Sequence, residues 1–384
     1  MGRILYLYAQ AYRAGSPHGR AAVQMLALLR AAGYEVDLLT LPGGDPWPAK
    51  LVDRLYHTAR VPFVRSLPAY GNGLRRRWAT CVMTLAALRL FITHRYSAVH
   101  CADRAIRIGG LVARLFGARF IFEWNAASGY DLIHWLQRRP RFFLRSINLI
   151  LSDLPYPFTR LRETGLSGKI ATLPLLPSPA ITRRPTPPPR LHGAAQPFRL
   201  TALTPTENAE GLALLCDVLP ELFAHQNLHL RIACGTPKMA ERLRAGLLRR
   251  YPALSASLDI RPAPADANEL LASISDADLV FLPLAHGELP PARLLDVMAA
   301  GRAILAIRCP AYTQLLTPAN ATLIPAEPKA FLDAIRHHML SPTLCADHAI
   351  AAAETLAKDR SFTGAVAALR ACYGFALTEE RDDD

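Results

Sequence analysis

Near residue 290 of this 384-residue chain two carboxylates, Glu288 and Asp296, stand with seven residues between them in the segment His286-Gly287-Glu288-Leu289-Pro290-Pro291-Ala292-Arg293-Leu294-Leu295-Asp296-Val297-Met298-Ala299-Ala300-Gly301. The apolar run Leu279–Leu282 ahead of it reads as a strand, and Pro290 suits the first turn of a helix, where a missing N–H costs nothing. The spacing is a little over two helical turns, so Glu288 at the helix entrance and Asp296 can face one ligand. One carboxylate can accept hydrogen bonds from sugar hydroxyls and the other from the two hydroxyls of a ribose. The amides at the helix entrance can receive a phosphate. The bland alternatives are a helix-capping Glu288 and a solvated Asp296.

Such a pair needs a scaffold that delivers loops to one edge, and the rest of the chain supplies the pattern of one. Ile4–Tyr8 reads as a strand, Gly19–Ala32 as a helix stopped by Gly33, and Glu35–Leu39 as a second strand, which is a βαβ opening. Ala98–His100, a helix over Ile106–Phe116 stopped by Gly117, Arg119–Glu123 and Ile147–Leu151 continue it. Between Pro174 and Pro197 there are eight prolines, a stretch expected to form neither helix nor central strand and to serve as a stiff connector. The alternation then restarts, with strands at 198–203, 228–234, 258–262, 279–282 and 303–307 and helices at 210–223, 240–248, 268–274 and 290–300. The expected fold is α/β, two doubly wound Rossmann-like domains facing a central cleft. The expected boundaries are a first domain over 1–175, a proline-rich linker over 176–197, a second domain over 198–370 and a tail over 371–384.

Composition narrows the class. A 51% hydrophobic content excludes a disordered or fibrous chain. The seven cysteines are scattered without metal-ligand spacing, which predicts small core residues in a reducing cytoplasm. No leader peptide is expected, and the apolar run Trp78–Ile92, broken by Arg89, is shorter than the about 20 residues of a spanning helix.

Charge is lopsided. Residues 1–182 hold 24 Lys/Arg against 9 Asp/Glu, and the remainder is close to balanced at 20 against 22. The basic half suits a polyanion, and two of its segments mix cations with large apolar side chains as interfacial segments do. One is Arg75-Arg76-Arg77-Trp78 at the head of an apolar helical run, and the other runs from Trp135 to Arg145. A solvated arginine-rich face is the plain alternative. No RNP, helix-turn-helix or zinc-finger pattern accompanies the charge, so nucleic acid is not an expected partner.

Glu288, seven residues, then Asp296, preceded by Ser275–Pro283, resembles the E-x7-E segment of the family-four GT-B glycosyltransferases. Leu230–Pro237 is similar to the family's strand and glycine turn, Asp153–Pro174 to its passage towards the linker, and Ser16–Gly33 to its glycine-rich turn and first helix. The resemblance implies a retaining transfer from a nucleotide-diphosphate sugar. Glu288 would touch the donor sugar, and Asp296, one methylene shorter than the usual Glu, would touch the ribose. Gly19 and Gly235 would sit in the turns that approach the donor.

Departures fall where the family stabilises the leaving diphosphate. The stretch Ala202–Gly211 lacks the family's Arg and Lys, and Pro291 has no amide to offer. Lys238 and Arg293 are the expected substitutes, with no cofactor and no divalent metal. Where the family carries a reaction-centre His, this chain has Asn125, with Glu123 as an alternative acid–base or acceptor-orienting group. The expected activity is sugar transfer to a lipid-linked or envelope-glycan acceptor by a peripheral protein at the cytosolic membrane face. The alternative is a GT-B-shaped subunit that has lost catalysis and binds another enzyme or anionic membrane.

Overall fold

The computed structural model describes residues 2–11, 17–41, 63–66, 74–102, 105–124, 146–152, 169–182, 196–204, 210–224, 227–264, 266–283 and 291–378. They form two compact units, the first containing Met1–Leu176 and Arg360–Asp384 and the second Pro177–Asp359.

The first unit opens with β1 (Arg3–Ala11), α1 (Pro17–Ala31), β2 (Glu35–Leu41), β3 (Phe63–Ser66) and α2 (Leu74–Thr93). It continues with β4 (Ala98–Ala102), α3 (Ile106–Phe116), β5 (Arg119–Trp124), β6 (Leu149–Ser152) and β7 (Lys169–Thr172). The seven strands are parallel in the order β3-β2-β1-β4-β5-β6-β7. Burial on both faces explains the unbroken apolar runs in the sequence. Along β1, Ile4, Tyr6 and Tyr8 point into one core and Leu5 and Leu7 into the other. The period of two follows from the pleat. Gly33 (φ 97°) and Gly117 (φ 63°) end α1 and α3 in the left-handed conformation that other residues resist.

The second unit begins with α4 (Pro179–Thr182), a single helical turn inside the stretch expected to be helix-free. Pro179 holds the first helical position, where a proline ring is pre-set for the helix and no amide is needed, so proline content alone did not forbid the turn. There follow β8 (Phe198–Thr204), α5 (Glu210–Ala224), β9 (Leu228–Cys234), α6 (Pro237–Arg250), β10 (Leu258–Pro262), α7 (Ala267–Ile274) and β11 (Leu279–Leu282). After them come α8 (Pro291–Ala299), β12 (Ala303–Ile307), α9 (Pro310–Thr313), β13 (Thr322–Ile324), α10 (Pro328–Leu340) and α11 (Pro342–Asp359). The sheet is parallel in the order β10-β9-β8-β11-β12-β13. Arg231 ties its edge by ion pairs to Asp259 at 3.0 Å and Asp276 at 2.8 Å.

The last helix, α12 (Phe362–Thr378), lies on the first unit. Residues 360–370, expected in the second domain, and 371–378, expected as a tail, therefore belong with the chain's beginning; residues 379–384 lie outside the described ones. The reason is packing. Leu369 and Tyr373 enter the core beside α1, and the Arg370 guanidinium donates to the carbonyls of Ala31 at 2.9 Å and Ala32 at 3.2 Å. A cation at the C-terminus of α1 also meets the negative end of its dipole.

Candidate functional site

In doubly wound sheets a ligand crevice opens at the carboxyl ends of the two strands where the order reverses direction. In the second unit those strands are β8 and β11. β11 is thus one of the two strands at the switch point, and the sequence that follows it, before α8, holds His286, Gly287, Glu288 and Pro290. Residues 284–290 and the loop after β8, 205–209, lie outside the described residues, and Glu288 with them.

Helix α8 follows the motif, with Leu294, Leu295, Val297 and Met298 packed into the core. Asp296 shares that burial at 3% exposure, which removes the solvated-helix alternative. Its Oδ1 accepts from the backbone N–H of Ser178 at 2.8 Å, just before α4. Burying a carboxylate demands such a donor, because an unmet charge away from water is costly. Asp296 therefore fixes the segment that opens the second unit.

Two other candidates of this unit, Gly235 and Arg293, meet residues 263–264, just past β10. Gly235 ends β9 with φ 40°, its N–H donating to the Thr204 carbonyl at 3.3 Å and its carbonyl accepting from Ala263 N at 3.1 Å. A Cβ at Gly235 would stand 2.6 Å from the Cε of Met239. Arg293, half-buried near the start of α8, donates through Nη2 to the Pro264 carbonyl at 3.2 Å. Lys238 is exposed in the first turn of α6, whose entrance is capped by Thr236 accepting from Met239 N at 3.4 Å. Gly235 and Arg293 are thus each hydrogen-bonded to the 263–264 segment, and Lys238 adds a cation at a helix entrance.

In the first unit the order reverses between β1 and β4, and Gly19 is buried in the first turn of α1, which follows the loop leaving β1. Asn125 and Trp135 lie outside the described residues, whereas Arg75, Arg76, Arg77 and Trp78 lie on the backbone of α2's first turns. Glu123, near the end of β5, is 6% exposed. Its Oε2 accepts from the Tyr6 hydroxyl at 2.9 Å and sits 3.1 Å from His100 Nε2. On the other side of the ring, His100 Nδ1 hydrogen-bonds the hydroxyl of Tyr373 on α12. One consistent set of donations runs from Tyr373 O–H to Nδ1, then from Nε2–H and Tyr6 O–H to the carboxylate. Burial, with the carboxylate beside them, pushes both phenols well above their ordinary pKa and keeps them as donors.

Sequence reading named Glu123 but not its partners. A histidine in the centre of the buried strand Ala98–Ala102 was the available signal, because a fully buried imidazole needs partners for its nitrogens. Among the described residues no cluster of three or more His, Cys, Asp or Glu side chains is placed to hold a metal ion, and no helix is long and apolar enough to cross a membrane.

Residues 18–153 match the family model described as a glycosyl transferase 4-like domain, and residues 199–340 match that of the glycosyl transferases group 1. No curated protein matches the chain in sequence. Among solved structures, a glycosyltransferase from Rickettsia africae ESF-5 superposes with a TM-score of 0.70 at 14% identity, covering 99% of each chain. Sucrose-phosphate synthase from Thermosynechococcus elongatus gives 0.67 at 15% identity, over 97% of this chain and 98% of that one. Anabaena Alr3699/HepE, solved in complex with UDP-glucose, gives 0.66 at 15% identity, over 97% of this chain and 100% of that one. At these identities the likeness carries the fold, while the matched models carry the family. With a glycosyltransferase model on each half and the same architecture along the whole chain, this protein belongs to the glycosyltransferases of GT-B fold.

Proposed function

We propose that the protein transfers a sugar from a nucleotide-diphosphate donor to a lipid-linked or envelope-glycan acceptor at the cytosolic face of the membrane, with retention of anomeric configuration. The observation that carries the donor half of this reading is that β11, the strand followed in sequence by the Glu288 motif, lies at the switch point of the second sheet. The related fold of Anabaena Alr3699/HepE, solved with UDP-glucose, supports a nucleotide sugar as ligand.

In this reading Glu288 accepts hydrogen bonds from the donor sugar, and Asp296, already oriented by Ser178 N–H, accepts from the ribose hydroxyls. Lys238 and Arg293 take the place of the family's missing cations beside the diphosphate, where charge grows as the bond breaks. The bond from the anomeric carbon to the phosphate oxygen breaks, and the acceptor oxygen forms its bond on the same face. The acceptor proton passes to the departing phosphate, so no protein nucleophile is required. Acceptor and bilayer fall to the first unit, whose sequence carries the excess of arginine.

A thermal-shift panel of UDP, GDP, CMP and ADP sugars tests the donor, because a ligand of the native state raises the melting temperature by mass action. The reading expects one nucleotide class to stabilise the protein and to support transfer into a membrane extract. Stabilisation by none of them, with no transfer, removes it.

A further inference from the structure

Helices α2 and α3 pack side by side on one face of the first sheet, with the rings of Phe91 and Phe116 stacked at 5.0 Å. Their inward residues, among them Met83, Leu90, Ile108 and Val112, are buried in the core. On the opposite side Leu85 is 65% exposed, Ile92 75%, Leu111 48% and Leu115 61%. With Phe116 they make five of the seven large apolar side chains exposed among the described residues. Single exposed leucines are ordinary, but a cluster on two adjoining helices marks a surface that another phase or molecule covers.

The spacing makes two stripes. Leu85 and Ile92 are two turns apart on α2 with exposed Arg89 between them, and Leu111 and Leu115 are one turn apart on α3 with exposed Arg107 and Arg114 alongside. Neither helix carries an acidic residue. A second copy is a poor occupant, because a two-fold interface sets a patch against itself and would bring arginines onto arginines. Interleaved leucines and arginines instead match the boundary between acyl chains and anionic headgroups.

We propose that this face of α2 and α3 docks the protein onto an anionic bilayer. Leu85, Ile92, Leu111 and Leu115 enter the boundary region, and Arg89, Arg107 and Arg114 meet lipid phosphates. The proposal deepens the membrane-face reading above by naming the surface, and it rests on that reading for the location of the acceptor. Attachment through such a face is peripheral and reversible.

Flotation of the full-length protein with vesicles tests it, using phosphatidylcholine alone and phosphatidylcholine with about one third phosphatidylglycerol. The expected result is partition onto the anionic vesicles that falls as salt rises. The variants Leu85→Ser/Leu111→Ser/Leu115→Ser and Arg89→Glu/Arg107→Glu/Arg114→Glu are each expected to reduce partition by at least about tenfold. Their melting temperatures and nucleotide-sugar shifts should match the parent's. The charge-reversal variant leaves the apolar stripes intact and keeps the test decisive should the serine variant fold poorly. The proposal is overturned if the parent does not bind, if the variants bind equally well, or if the parent is a dimer that the serine variant converts to monomer. Vesicle binding through this face without stabilisation by any nucleotide sugar would remove the donor reading alone, and stabilisation without vesicle binding would remove the docking proposal alone.

Discussion

His100 Nε2 lies 3.1 Å from Glu123 Oε2, with both side chains buried and the far side of the imidazole hydrogen-bonded to Tyr373 on the last helix. A strand near the middle of the first unit is thereby fastened to a helix at the end of the chain. A buried charge with two donors is destabilising to disrupt from one side, because what remains is an unmet polar group.

Glu123→Ala is therefore expected to destabilise the first unit by about 3 kcal/mol, and Glu123→Gln by less, since an amide oxygen still accepts. Thermal melts and limited proteolysis of the C-terminal helix read the effect. A Glu123→Gln protein with unchanged melting temperature and kcat reduced by orders of magnitude would instead make Glu123 a group of the reaction.

Asp296 can be tested in two steps. Asp296→Ala removes the acceptor for Ser178 N–H and is expected to cost about 1–3 kcal/mol of stability. Asp296→Asn retains an acceptor oxygen, so it should melt close to the parent while binding the nucleotide about tenfold more weakly, a loss of charge-assisted hydrogen bonding to the ribose. Calorimetric affinities of the Asn protein equal to the parent's would confine Asp296 to the Ser178 contact.

Gly235→Ala is expected to cost about 1–2 kcal/mol, because φ 40° disfavours any Cβ and the new atom meets the end of the Met239 side chain. The nucleotide affinity should fall with it, as the turn also holds the Thr204 and Ala263 contacts. Melting at the parent temperature would show that the turn relaxes freely.

Acid should weaken the second unit through His338. Burial, with His348 and His337 close by, lowers its pKa to about 4. Its Nε2 lies 2.9 Å from the Thr322 hydroxyl and its Nδ1 3.3 Å from Cys345 Sγ, so the ring is enclosed as well as buried. In the unfolded chain the imidazole takes up a proton as pH falls through about 6.5, and in the folded chain only near 4. The stability is whole above the first value and is lost between the two, by up to about 3 kcal/mol. Urea unfolding at pH 7 and pH 5 should show the loss, and His338→Gln should flatten it. An undiminished pH slope in that variant would assign the effect to other groups.

Much of the architecture could be read in advance because parallel strands buried on both faces write themselves as apolar runs, and glycine stops mark helix ends. The strands Leu228–Cys234, Leu258–Pro262, Leu279–Leu282 and Ala303–Ile307 and the helix Ile106–Phe116 lie where their residues predict them. β3, β7 and β13, of three or four residues each, are too short to show a period and exist because a neighbouring strand pairs with them. The Glu288 and Asp296 segment and its strand were likewise visible as types at a spacing.

The sequence alone determined the two alternating halves, the family resemblance and the carboxylates worth testing, since these depend on local periodicity and residue type. Only the tertiary structure decided that the chain's end returns to its beginning, that Asp296 is buried against Ser178, and that Glu123, Tyr6, His100 and Tyr373 share one network. It also turned a general arginine excess into a face where leucines stand beside arginines. Each of these depends on which distant segments become neighbours, and strand order and helix packing, not any local pattern, bring together residues as far apart as Arg370 and Ala31.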